Sequence, residues 1–370
     1  MSKGCYMLNA NQNVPYELFS KIIKGKKTLL RLRKYIEVLK NNGINSDVKS
    51  VLYDLGKQGC TCAYVSNVLI DYFMNNGVFD SYLMKEKLGL DLSIDENNID
   101  LNILMVDIFS SLYNVVELDV HKYECYEFDS LVDASKDLLG ETSVSEEDAF
   151  IRLFDGGYSI DGISDTGRKI IKSKNVKNNT YVGSYEEIAK ELFGVDKLNS
   201  KEEFDQLCKG NNITYDEKYP DISAKFSGLT NSSIEFWVNY YLDKKNSDLS
   251  FSCDYLTNDF SNIDEFISYI NNLRDSGYVI GISSDGMIYD KYLKDEELLR
   301  SDNAGHRMMF KYFDENNNIV VESWGKEFIL KSEDINSIKF QASMLKDKEL
   351  INMDEAKKSN NMSIVNKSRK

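Results

Sequence analysis

The stretch AGHRMMFKYFDENNNIVVESWGKEFIL, residues 304–330, decides how this chain reads. Two apolar runs flank a polar turn at 314–318, a pattern that predicts a β-hairpin. The first run opens on His306, one of two histidines in the chain, and the second closes on Glu322-Ser323-Trp324-Gly325. A turn of that length predicts that His306 and Glu322 come side by side. A carboxylate there binds one imidazole nitrogen, fixes the tautomer and leaves the other nitrogen to face a partner. Trp324 is placed to keep water off that contact. The competing reading makes His306 a structural side chain on a strand and Glu322 an ordinary solvated one.

Working outward, residues 251–255 and 278–283 read as strands. Between them SNIDEFISYINNLRDSG reads as a helix, with Ile263, Phe266, Ile267, Ile270 and Leu273 on one face and Asn262 with Glu265 as its cap. A further strand is expected at 326–330 and a short helix at 332–338. Far upstream lies KQGCTCAYVSNVLIDYF, residues 57–73. Val65, Val68, Leu69 and Tyr72 make an apolar stripe that predicts a helix from Cys62 to Asn75. A sulfur at such a helix start meets unsatisfied N–H groups that favour the thiolate. Cys60 precedes it in the expected loop, and Gln58 offers a side-chain amide for an oxyanion. A thiol at a helix start and a histidine on a strand are the parts of a cysteine nucleophile system. Two ordinary cysteines near a helix start are the competing reading.

Nearer the N-terminus, residues 15–42 read helical, split at Gly25, with Leu29, Leu32, Ile36 and Leu39 on one face. Residues 21–40 carry eight Lys or Arg against one Glu. They form either a solvated face or a docking site for an acidic partner or for the acidic remainder of the chain. Residues 103–116 are apolar enough for a buried helix. From 141 the text changes to capped helix starts, Ser184 with Glu187 and Ser200 with Glu203, separated by Gly-, Asp- and Asn-rich turns. The turns at 91–98 and 155–167 lack the offsets of a calcium loop.

The chain has 370 residues, 42% of them apolar, and a net charge of −15, which argues against nucleic-acid binding and for a core of ordinary size. Six scattered cysteines do not make a disulfide scaffold. The first residues lack a secretory apolar region, and no stretch is apolar enough to cross a bilayer. A cytoplasmic protein with reduced thiols is expected, with signal-less secretion left open; no membrane, cofactor or metal is expected.

Gln58-Gly59 followed by Cys62, then Gly305-His306 and Glu322-Ser323-Trp324-Gly325, resembles the papain-like cysteine peptidases. The region is also similar to bacterial peptidases that cut double-glycine leader peptides. The resemblance implies an α+β, papain-like two-lobe fold: a helical lobe carrying the Cys, an antiparallel β lobe carrying the His, and a large, mostly helical insertion. It implies an N-terminal helical segment at 1–50, the Cys lobe at 51–140, the insertion at 141–245, the His lobe at 246–345 and a disordered tail at 346–370. Cys62 would be the nucleophile, His306 the general base and acid, Glu322 the orienting residue and Gln58 the oxyanion donor. Cys60 is the alternative nucleophile in a leader-peptidase alignment. The implied activity is hydrolysis of a peptide or protein substrate. The alternatives are a thiol-dependent deamidase or acyltransferase effector, and a non-catalytic interaction protein on the same scaffold. Ala63 stands where the family has Trp, and Glu322 where it has Asn.

Overall fold

The computed structural model describes residues 13–20, 25–45, 47–75, 77–95, 98–173, 177–219, 221–222, 230–256, 260, 262–284, 288, 291–293 and 306–349. The chain is of the α+β class, with antiparallel sheets throughout. It divides into two compact units, one made of residues 1–113 with 222–370 and the other of 114–221.

The first unit begins with helices α1 (Val14–Ser20), α2 (Lys26–Asn41) and α3 (Val48–Tyr72). Two small strand pairs follow, β1 (Met74–Asn75) with β2 (Val78–Phe79) and β3 (Ser93–Asp95) with β4 (Asn98–Ile99), separated by α4 (Ser81–Leu88). The fully buried α5 (Leu101–Leu112) comes next.

The second unit holds β5 (Val115–Lys122), β6 (Cys125–Phe128), α6 (Leu131–Leu139), α7 (Glu146–Asp155), β7 (Tyr158–Ile163), β8 (Lys169–Ser173), β9 (Lys177–Ser184), α8 (Tyr185–Phe193), α9 (Lys201–Gly210) and β10 (Ile213–Tyr219). Its strands form two three-stranded sheets, in the orders β10-β5-β9 and β6-β8-β7. Helices α8 and α9 cover the first through Ile188, Phe204 and Cys208 against Val116, Leu118 and Val120. Helices α6 and α7 cover the second through Ala134, Ala149 and Leu153 against Ile171. The mostly helical insertion expected at 141–245 overlaps this compact unit, which spans 114–221 and holds strands as well as helices. Helix α8 starts with the full capping box that Ser184 and Glu187 spell.

The chain then completes the first unit with α10 (Asn231–Lys244), β11 (Leu249–Tyr255), α11 (Ile263–Asp275), β12 (Val279–Ser284), β13 (His306–Phe313), β14 (Ile319–Ser323), β15 (Lys326–Leu330) and β16 (Ile338–Asp347). These strands form one antiparallel sheet in the order β11-β16-β12-β13-β14-β15.

Strand side chains alternate between faces, so each face of this sheet has its own neighbours. Ile280, Ile282, Met308, Phe310, Phe340 and Ala342 pack with Phe266 and Ile270 of α11. On the other face lies α3, which packs against β12, β13 and β16. Its Tyr64 hydroxyl donates to Ser343 Oγ at 2.7 Å, and its Tyr72 hydroxyl to Asp347 Oδ1 at 3.0 Å. Eight helical residues rise about 12 Å and four strand residues about 13 Å, so α3 runs alongside β16. The sheet edge at β11 is covered by α10. Asn239 exchanges two 2.9 Å hydrogen bonds with the Phe251 backbone, and Glu235 accepts from Cys253 N. Those side chains satisfy strand groups that an open edge would offer to another chain.

Candidate functional site

His306 opens β13 as expected, but its ring points to the face packed by α11. It shares that face with Met308 and Phe310, while Arg307 on the other side lies over the Tyr64 ring at 5.7 Å. The imidazole stacks on Trp324 with ring centroids 4.3 Å apart and planes at 11°. Its Nε2 is 2.8 Å from Ser323 Oγ. Burial alone holds the imidazole neutral and lowers its pKa to about 3.

Ser323, not Glu322, therefore meets the ring, and a β-bulge is the reason. Near the turn Phe313 faces Ile319 and Tyr312 faces Val320; past Lys311 the register shifts, so that Phe310 faces Val321 and Met309 faces Glu322. One extra residue on β13 exchanges the faces of everything beyond it. Without the bulge Glu322 would share the His306 face; with it, Ser323 does. Glu322 lies on the α3 side, where Lys311, the extra residue, approaches it at 3.4 Å and also bonds Glu327. Burial raises the Glu322 carboxyl, and the Lys311 ammonium opposes that shift.

The Trp-Gly pair is a turn. Trp324 and Gly325 both have positive φ, 49° and 72°, as the two central residues of a type I′ hairpin between β14 and β15 require. Gly adopts that backbone freely, whereas a bulky residue is strained there by about 1–3 kcal/mol. Burial of the indole and its stacking on His306 hold it in place.

The cysteine half is corrected as well. Helix α3 starts at Val48, not Cys62, with Asp47 as its N-cap accepting from Ser50 N. Cys62 is roughly four turns into the helix, far from any unsatisfied N–H group. It is 1% exposed, and it sits about 200° around the helix from the sheet-facing Tyr64. Gln58 and Cys60 are also helical, and their side chains lie outside the described residues. Position 60 is one turn before Tyr64, which sets its backbone near the level of Gln341, Gly281 and Met309 along the sheet. His306 is three strand residues further on, about 10 Å away, and on the opposite face.

Among the described residues no group of three or more His, Cys, Asp or Glu side chains is placed to hold a metal ion. No helix among them is long and apolar enough to cross a membrane. Comparisons with known protein families, with curated proteins and with solved structures returned no match.

The buried imidazole makes stability depend on pH. Its folded pKa, about 3, is below the unfolded value of 6.5, so the unfolded state takes up the proton first as pH falls. The stability from neutral His306 is complete above 6.5 and declines as pH drops from there towards 3. At pH 5 the loss is about 2 kcal/mol. Urea unfolding at pH 7 and pH 5 checks this: the wild type loses about that much more than His306→Gln. Equal losses would show that the ring is solvated.

Proposed function

We propose that this chain is a non-catalytic interaction protein whose larger unit is a papain-like scaffold, a thiol-bearing helix laid against the sheet that carries a strand opening on His306. The observation that carries this reading is the bulge at Lys311, which turns His306 into the α11-side core and Glu322 away from it. An imidazole held neutral by burial is a poor proton shuttle at neutral pH. A thiol inside a helix gains nothing from the helix end.

The test is incubation of the full chain with denatured casein and with glutamine peptides, followed by product mass. Neither cleavage nor amide-to-acid conversion is expected, and iodoacetamide is expected to reach Cys62 only as fast as the helix opens. Turnover that Cys60→Ser or Cys62→Ser abolishes would overturn the reading.

A second reading keeps thiol hydrolysis, and one observation favours it. The His306 ring is fixed by Ser323 and covered by Trp324, as a catalytic imidazole needs to be. Proton transfer would then run through Nδ1 to a thiol reaching round the start of β13. In that case turnover would vanish in His306→Ala, and Ser323→Ala would lower kcat more than it raises KM.

A further inference from the structure

The second unit exposes an apolar face at α7. Its buried stripe is Ala149 and Leu153. On the outer side Phe150 is 48% exposed and Ile151 58%, with Phe154 beside them. Val144, just before the helix, is 92% exposed, and Ile163 on β7 is 63% exposed. A single exposed apolar residue is ordinary, but several on one helix face with apolar neighbours mark an interaction surface. Strand β7 is also the last strand of its sheet.

Charge selects what this face meets. The unit has 24 acidic residues against 13 basic ones, so it carries most of the chain's net −15. Exposed Glu147 lies between Phe150 and Ile151 on the helix surface, and Asp155, at the end of the same helix, is exposed as well. The one base on α7, Arg152, is held by Asp148 at 3.0 Å and Glu141 at 2.8 Å, so it is directed at those two acids rather than at Glu147 or Asp155. A second copy would bring an equally acidic face against this one and be repelled.

We propose that the outer face of α7 docks a cationic amphipathic helix, apolar along one side and lined by Lys or Arg. Apolar side chains of the partner cover Phe150, Ile151 and Val144, while its cations meet Glu147 and Asp155. The proposal deepens the interaction reading by naming a partner class. It rests on the second unit alone, so its failure leaves the His306 evidence untouched, and the discovery of catalysis leaves this face untouched.

The test uses the full chain and a fluorescent peptide of leucine and lysine in amphipathic helical order, followed by anisotropy. Saturable binding is expected, weakening as salt rises. The pair Phe150→Ser with Ile151→Ser, and separately Glu147→Lys with Asp155→Lys, should each weaken it about tenfold or more. All four side chains are exposed, so thermal unfolding should be unchanged. Tyr82→Ser, at an exposed site in the first unit, should bind like wild type. The proposal is overturned if the peptide fails to bind, if either pair binds like wild type, or if a leucine–glutamate peptide binds equally well. Dimerisation of the wild type through this face, seen by sedimentation and abolished by the serine pair, overturns it too.

Discussion

Asp107→Ala is expected to lower the unfolding free energy of the first unit by about 3–5 kcal/mol, the usual cost of removing one partner from a buried charged network. The Asp107 carboxylate is buried in α5 and takes the Tyr241 hydroxyl at 2.6 Å, Lys245 Nζ at 2.8 Å and Asn42 Nδ2 at 2.9 Å. Tyr241 is fully buried, and the neighbouring carboxylate, after burial itself, keeps its hydroxyl protonated. Without the carboxylate that hydroxyl loses its acceptor in a place water does not reach. The network joins the end of α2 to α5 and α10, elements that precede and follow the second unit in sequence. Denaturant unfolding checks the effect. Asp107→Asn keeps an acceptor and should lose about half as much; a loss below 1 kcal/mol in the alanine variant would show that solvent reaches the network.

Gly281→Ala should cost about 3 kcal/mol, the upper end of the overpacking range. A Cβ at Gly281 would stand 2.3 Å from Tyr64 Cε2 and 2.7 Å from Gln341 Nε2. Neither neighbour has room to retreat, because Tyr64 is held by Ser343 and Gln341 is wholly buried in β16. This glycine exists for close approach, not for backbone freedom. Thermal unfolding reads the effect. Tyr64→Ala should recover part of the loss when combined with Gly281→Ala, since both changes act on the same volume.

Much of the fold was legible because period and punctuation agreed. The hairpin at 306–323, the split at Gly25, α11 with its Asn262 cap and the strand at 326–330 all followed from local pattern. Strand β16 was not read: IKFQASMLKD mixes apolar and polar residues without strict alternation, because the strand is buried on both faces in the interior of a sheet. The start of α3 was placed late because Gly56 and Gly59 look like loop residues, yet buried Val51, Leu52 and Leu55 carry the helix through them. The change from α5 to β5 was not read because only Tyr113 and Asn114 separate two mostly apolar runs, which hides the switch from helix to strand.

At the candidate site, spacing alone was misleading. His306, Trp324 and a neighbouring polar group do assemble, but which neighbour joins them depends on one bulge. No local sequence signal announces a bulge at the half-buried Lys311. Parity, not distance along the chain, chose Ser323 over Glu322.

Asn114 N donates to Asp221 Oδ1 at 3.1 Å, so the first and last residues of the second unit are tied together. A body whose two ends meet behaves like a bead threaded on a closed clasp. It can be lengthened, exchanged or cut out during evolution while the flanking chain rejoins over a short gap, so the acidic body and the scaffold that bears it are free to change at different rates.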